Sequence, residues 1–366
     1  MVKSVIFKVI TLKIMGSIMK LKNHQESHLR VFSTLTSLIL FIVFFLYPQE
    51  TLAHVKWFVS SELQPPETFV PYSFDEPMVR AWIGIAVFLI LTSIFLDSRL
   101  PSLPIVDSKT RHDVIEIVRI LTGMSLLLTA YDGKLIAPHL AAQDSIGMFF
   151  VFLEAVIGLM LIANRFLFIA AILLLVLLVG VLIQFNPISA LEYINVTGIA
   201  LFILFNNMPT EASKERFKPY SVAALRIFTG ISLVTLGLSE KIIGASLGQE
   251  FLRVHQWNFM QAMGLDFFTD RLFVLSAGMM EVVFGTILIL GTVTRLNTLV
   301  LSLFLLASNL VFLYVGMKEA ALMELVGHMP IIASALILIV LGYGQRLKIP
   351  NIFKKTNDAK PAEVNG

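Results

Sequence analysis

Long apolar stretches alternate with short polar connections along this chain, and the pattern predicts a helical membrane protein. A helix needs about 20 mostly apolar residues to cross a bilayer, and ten stretches approach that length. They lie near residues 31–47, 81–96, 114–131, 147–163, 166–185, 190–206, 221–238, 271–291, 296–315 and 327–343. The predicted fold class is therefore an all-α integral membrane protein with nine or ten transmembrane helices.

The basic residues of the connections fall mainly on one side of this path. They precede the first stretch and follow the second, fourth, sixth, eighth and tenth. Because cytoplasmic loops are enriched in Lys and Arg, we expect a multi-pass protein of the cell inner membrane. Its C-terminal tail, residues 346–366, is predicted to be cytoplasmic, with the loops 132–146 and 239–270 outside.

The N-terminal part permits two interpretations. Residues 1–53 have the basic start, apolar run and polar end of a signal peptide, or they form an uncleaved signal anchor. Residues 54–80, which contain four prolines, are predicted to be an external lead-in segment without regular structure. Residues 81–111 are an extra transmembrane helix and cytoplasmic loop. If cleavage occurs after Ala53, the free amine and imidazole of His54 would suit copper; the simpler anchor interpretation has no metal.

Two later parts of the chain match each other. RILTGMSLLLTAYDGKLI aligns without a gap with RIFTGISLVTLGLSEKII, and LEAVIGLMLI aligns with MEVVFGTILI. The paired positions are Arg119 with Arg226, Lys134 with Lys241, Glu154 with Glu281, Arg165 with Arg295 and Glu192 with Glu324. Four helices per unit return the chain to the same side, so both copies keep one orientation. The sequence therefore predicts two parallel-repeat four-helix bundles, at residues 112–207 and 219–345.

The repeated pattern is R-x-x-x-G, a lysine at the far end of that helix, and then E-x-x-x-G before a basic turn. This pattern resembles the DoxX family, and two units in tandem are similar to the larger DoxD-type proteins of that superfamily. The likeness covers roughly residues 112–345, and HVKWF at 54–58 is similar to the start of larger bacterial DoxX-like proteins. The resemblance implies a helical membrane subunit near quinone-linked respiratory chemistry, as in the thiosulfate:quinone oxidoreductase membrane subunit. Quinone is the cofactor that it implies, and other respiratory-chain membrane subunits are the partners.

Ionisable residues inside the predicted spans are the candidate functional residues, because charge in hydrocarbon is costly unless paired or hydrated. Arg119 and Glu154 approach similar depths from opposite sides of the first unit, as Arg226 and Glu281 do in the second. Each Arg–Glu pair either neutralises charge within its bundle or lines a polar pocket for a quinone head group or an anion. Glu281, near mid-membrane, is the stronger candidate.

Three further features are placed near the outer surface. Lys134 and Lys241 are expected to anchor there, and the loop 239–270 is predicted to contain a short helix lying on the surface. His328 follows Glu324 by four residues, so both share one helix face. This histidine either passes protons or satisfies a helix end. The substrate-binding candidates are thus Arg119, Glu154, Arg226, Glu281 and His328.

The composition of the chain limits which partners and cofactors it can have. Hydrophobic residues make up 57% of the 366 positions and charged residues only 14%, so the expected partner of most of the surface is the lipid bilayer. A net charge of +3 is too small and scattered to indicate nucleic acid. The absence of cysteine excludes Cys-ligated iron–sulfur clusters, and only His328 lies in a predicted span, whereas a bis-His haem needs two.

Three functions remain open from the sequence. The first is a subunit associated with quinone-linked respiratory electron transfer, and whether such a subunit is itself an enzyme is undecided. The alternatives are a small-solute transporter or channel, which the duplicated bundle suggests, and an assembly factor of a membrane complex.

Overall fold

The structure is a computed structural model that describes residues 69–100, 108–342 and 346–349. The predicted signal-like segment 1–53, the first apolar stretch and His54 lie outside the described residues. Within those ranges the regular structure is helical, apart from one isolated β-bridge between Lys134 and Ala141.

The helices are named in chain order. They are α1 Pro77–Arg99, α2 Ser108–Tyr131, α3 Ser145–Ile162, α4 Leu167–Gln184, α5 Pro187–Glu192, α6 Asn195–Asn206, α7 Glu211–Phe217, α8 Ser221–Leu236, α9 Ala245–His255, α10 Phe259–Ala262, α11 Asp270–Leu290, α12 Thr294–Tyr314 and α13 Lys318–Leu341. A 3₁₀ turn, Lys218–Tyr220, precedes α8, and a π-helix, Gly237–Ile243, follows it directly.

Eight helical stretches within the described ranges are long and apolar enough to cross a membrane. They are α1, α2 from Asp113, α3, α4, the continuous stretch Glu211–Ile243, α11, α12 and α13. The chain is therefore an α-helical, multi-pass membrane protein, as the apolar pattern predicts.

The predicted span at 190–206 differs from its neighbours because it is broken. Helix α5 ends at Glu192, and α6 begins at Asn195 and has 12 residues. Helix α5 begins directly after Asn186, whose side chain accepts a hydrogen bond from the Ser189 N–H and caps the helix. The sequence has one apolar stretch there, so its hydrophobic pattern does not predict the interruption.

Each long helix packs against the next along the chain, and the last returns to the first. The contacts run from α2 to α3, α4, α6, α8, α11, α12 and α13, and α13 packs on α2. Helix α1 stands outside this ring against α11. The ring encloses a core that includes the fully buried Ile157, Leu161, Leu174 and Ile199. Helix α12 exposes a row of leucines, as expected of a lipid-facing helix.

Glycines allow the closest helix contacts in the ring. A Cβ on Gly123 of α2 would lie 2.9 Å from the Gly158 carbonyl oxygen of α3. A Cβ on Gly230 of α8 would lie 2.6 Å from the Gly285 carbonyl oxygen of α11. Small residues at such crossings let backbones approach and maximise van der Waals contact, the main source of helix association in lipid.

The connections at the ends of α2 and α8 fold onto the protein. In the connection after α2, Leu135, Ala137 and Leu140 are buried. The short helix predicted in the loop 239–270 is present as α9, but it packs on α11, with Phe251 and Leu252 buried. Its apolar face contacts protein, which corrects the prediction that this helix rests on the surface.

Candidate functional site

Arg119 binds the end of the neighbouring helix. From α2 its guanidinium donates hydrogen bonds to the carbonyl oxygens of Leu161 and of Ile162, the latter at 2.7 Å. It also lies 3.5 Å from the Glu116 carboxylate. The last carbonyl groups of a helix have no partner within it and carry partial negative charge, so a buried cation stabilises them.

Arg226, which the sequence match pairs with Arg119, makes similar contacts. It is fully buried and donates to the carbonyl oxygens of Leu288 and Ile289 at the end of α11. It also donates to the Leu347 carbonyl oxygen at 2.8 Å, which fixes the segment after α13. Both arginines therefore donate hydrogen bonds to main-chain carbonyl groups at the C-terminal end of a neighbouring helix.

The predicted Arg–Glu pairs are wrong. Glu154 lies seven residues before Leu161, about 10 Å further along α3, so Arg119 bonds to the nearer carbonyls. The fully buried Glu154 instead accepts hydrogen bonds from the Ile136 N–H, at 2.9 and 3.0 Å, and from the Thr129 hydroxyl. This carboxylate secures the folded connection after α2 and is a structural group in this geometry.

Glu281, the counterpart of Glu154, has a different partner. Its carboxylate oxygens lie 2.9 and 3.0 Å from the Nζ of Lys241, which extends from the π-helix. The two side chains retain 21% and 24% of their exposure, so the pair is accessible where Glu154 is sealed. Lys134, the counterpart of Lys241 in the sequence match, has Asp132 as its one acidic partner among the described residues, at 3.7 Å.

Two more carboxylates face the same lysine. Glu240, only 1% exposed, lies 3.7 Å from the Lys241 ammonium, and Glu324 on α13 is close enough to act on it electrostatically. His328 stands next to Glu324, with Nδ1 at 2.8 Å from its carbonyl oxygen and 3.5 Å from its carboxylate. The prediction that these two share a helix face is confirmed. Residues Glu240, Lys241, Glu281, Glu324 and His328 are called the Lys241 cluster.

The π-helix determines how this cluster forms. Its wider turn follows α8 without interruption, and single π-turns within α-helices frequently occur at functional sites. Gly237 lies against the Gly278 backbone, since a Cβ there would be 2.6 Å from the Gly278 carbonyl oxygen. This close crossing sets Lys241 beside Glu281. Sequence reasoning missed Glu240, although an adjacent Glu–Lys at the end of an apolar helix was a signal.

Glu192 adds a buried carboxylate that contacts the π-helix from which Lys241 extends. It ends α5 at the helix break, is 3% exposed, and accepts a hydrogen bond of 2.7 Å from the Ser239 hydroxyl of the π-helix. Its carbonyl oxygen accepts a second bond from the Ser232 hydroxyl of α8. The sequence match between Glu192 and Glu324 gave no indication of this contact.

A polar anchor at the start of α11 holds the lead-in segment. Arg271 at the start of α11 lies 4.5 Å from the Tyr72 ring centre and 2.6 Å from the Glu76 carboxylate, and the Tyr72 hydroxyl donates to its carbonyl oxygen. Burial raises the pKa of Tyr72 to about 12, and the positive charge of Arg271 opposes only part of that rise.

The Lys241 cluster differs from the other candidate residues in its chemistry. One lysine faces three carboxylates, and a histidine stands beside one of them, so a proton has several acceptors within one partly accessible group. Glu281 and His328 belong to it, whereas Arg119, Arg226 and Glu154 bind backbone. Comparison of the chain with protein-family models, with curated proteins and with solved structures finds no match.

Proposed function

We propose that this chain is a DoxX/DoxD-like integral membrane subunit associated with quinone-linked respiratory electron transfer, and that the Lys241 cluster receives the quinone head group. The observation that carries the proposal is the ion pair of Lys241 with Glu281, partly exposed among apolar helices and surrounded by further acids. Inside a membrane, such groups are retained for function more often than for stability.

Equivalent contacts support a duplicated unit. Arg119 binds Leu161 as Arg226 binds Leu288, and both carbonyl groups lie seven residues after the matched Glu154 and Glu281. The close glycine crossing of α2 with α3 recurs between α8 and α11. These contacts follow the register of the sequence repeat.

The turns after α3 and α11 refine this register. Asn164 and Phe166 have positive φ, and so do Gly291 and Val293 at the corresponding positions. In this register Arg165 stands opposite Thr292, so the match of Arg165 with Arg295 is shifted by three residues.

The ring of helices favours interlocked units over two separate bundles. The fourth helix of each unit packs on the first helix of the other, α6 on α8 and α13 on α2. Ser232 binds the Glu192 carbonyl oxygen across the first of these contacts, and Ser125 binds the Val326 carbonyl oxygen across the second. The pattern is that expected of a two-fold axis along the membrane normal.

A quinone needs hydrogen-bond donors at its carbonyl oxygens and a supply of protons. Both close contacts of Lys241 go to one carboxylate, so an ammonium with three N–H groups retains a donor for a quinone oxygen. Because Nδ1 of His328 faces the Glu324 carbonyl oxygen, Nε2 is assigned as the ring atom that exchanges a proton. Reduction of the quinone to quinol takes two electrons from a redox centre of a partner subunit and two protons from the cluster or from water.

The broken helix favours a second function, small-solute transport. Unwound helices beside buried charge form ion and substrate sites in many transporters, and α5 and α6 meet beside Glu192. Substrate-dependent uptake into proteoliposomes, abolished by Glu192→Gln, would favour this function over the first.

The quinone proposal is tested by binding. A short-chain benzoquinone is titrated into purified protein in lipid nanodiscs, and native mass spectrometry reports quinone and partner subunits that co-purify. We expect Lys241→Met to weaken quinone binding at least about tenfold, the loss of one charge-assisted hydrogen bond of about 1.5–3 kcal/mol.

Lys134→Met is the matched control, since Lys134 occupies the corresponding position and, in the part of the chain that the structure describes, pairs with an aspartate and not with a glutamate. Equal quinone affinity of folded Lys241→Met and wild-type protein would refute the placement of the head group at this cluster.

A further inference from the structure

A small cavity lies at the helix break, where α5 and α6 meet α8 and α13. Its lining includes Glu192, Asn195, Leu236, Gly327 and Pro330. The space open to the centre of a water-sized sphere is about 20 Å³, and about 10–15 Å³ by this measure is enough for one water molecule. The cavity is small, so its occupant is of the size of water.

The lining supplies a polar group in need of a partner. Asn195 is 3% exposed, and its side-chain amide forms no hydrogen bond with any residue in the described part of the chain. A buried amide without a partner costs about 1–3 kcal/mol. Buried water with two to four polar partners commonly removes this cost.

Glu192 gives the site its reactive group. Glu192 lines the same cavity, and its carboxyl accepts a hydrogen bond from the Ser239 hydroxyl. Ser239 precedes Glu240 and Lys241 on the π-helix. The carboxyl therefore contacts the helix that bears the Lys241 cluster, and the residue borders space for water.

We propose that this cavity holds water bound by Asn195 and Glu192, and that Glu192 is a proton-exchanging residue inside the membrane. When Glu192 releases its proton, the O–H bond breaks, the electron pair stays on the carboxylate, and the proton passes to the bound water. The hydrogen bond that Ser239 donates stabilises the carboxylate left behind. Glu192 then holds protons near the Lys241 cluster. This role as a proton store rests on the proposed function, whereas the hydrated carboxyl does not.

Infrared difference spectroscopy on the quinone-free full chain in nanodiscs tests the inference. Spectra recorded at mildly acidic and mildly alkaline pH are expected to contain a carboxyl C=O band that shifts in D₂O and is lost in Glu192→Gln. Glutamine keeps an oxygen that accepts from Ser239, so the helix contact is retained. A bound-water O–H band, identified by its shift in H₂¹⁸O, is expected to disappear in Asn195→Leu, which replaces the amide by an apolar group of similar size.

Glu154→Gln is the control, because its carboxyl is held by Ile136 and Thr129 and does not line the cavity. Persistence of the carboxyl band in Glu192→Gln, or of the water band in folded Asn195→Leu, overturns the inference. If Glu192→Gln does not fold, the Asn195→Leu result decides alone. Quinone binding is measured in a separate titration of the same samples, so a failure to bind quinone does not change the infrared result for Glu192.

Discussion

Removal of Lys241 is expected to destabilise the protein more than removal of any one of its acidic partners. In Lys241→Met, Glu240, Glu281 and Glu324 would face one another without the cation that stands among them. Loss of one partner from a buried ion pair costs about 3–5 kcal/mol, and exposed pairs contribute about 0–1 kcal/mol. With side chains 21% and 24% exposed, we expect about 2–4 kcal/mol.

Glu281→Gln is expected to cost less, about 1–2 kcal/mol, because the neutral amide still accepts a hydrogen bond and Glu240 remains near the ammonium. The double variant measures the coupling between the two side chains, which we expect to be about 1–3 kcal/mol. Denaturant unfolding in mixed micelles, followed by tryptophan fluorescence, provides the free energies of unfolding. Lys134→Met is the control and should cost less than about 1 kcal/mol.

A Lys241→Met variant no less stable than Lys134→Met would refute this expectation, since the two lysines differ chiefly in their acidic surroundings. A coupling between Lys241 and Glu281 of zero within error would refute it as well. That result would mean that the ion pair is no more stable than the two side chains hydrated separately.

Three other expectations follow from single positions. Gly230→Ala should cost about 1–3 kcal/mol of unfolding free energy, because its Cβ would press on the Gly285 backbone. Gly84→Ala, with open space around it, should be neutral or stabilising. Equal effects of the two substitutions would contradict the close crossing of α8 with α11. The raised pKa of Tyr72 favours the folded state fully below pH 10, and that stability is lost as pH rises towards 12; Tyr72→Phe should therefore flatten the alkaline decline in thermal midpoint, and an unchanged decline would refute this. A phosphatase fused after Lys355 should be inactive, since the tail is predicted to be cytoplasmic, and an active fusion would reverse the orientation.

The helices themselves were readable because lipid exposure and burial both select long apolar runs. The boundaries of α3, α4, α11 and α12 lie within a few residues of the predicted stretches. The break between α5 and α6 was not readable. Both halves are apolar, and the interruption depends on Asn186 capping α5 and on the contacts of Glu192 with α8.

The site could be predicted only in part. Intramembrane charge identified Glu281 and His328, because the cost of burial is visible in the sequence. The partners were misassigned, since depth along a helix does not reveal which acceptor is nearest. Arg119 and Arg226 donate to main-chain carbonyl groups. Every residue carries such a group, so no pattern of side chains in the sequence identifies these acceptors. The π-helix that directs Lys241 to Glu281 likewise has no recognisable pattern of apolar residues.

The difference between the two halves of the chain has a local physical origin. At the second close crossing, α8 and its π-helix meet α11 at Gly237 and Gly278, and each backbone touches the other. The matched positions in the first half are Ala130 and Val151, whose side chains require more separation. We therefore expect a wider crossing there, where Glu154 binds the Ile136 N–H and the Thr129 hydroxyl and not Lys134. The absence of two side chains in the second half therefore accounts for an ion pair that the first half lacks.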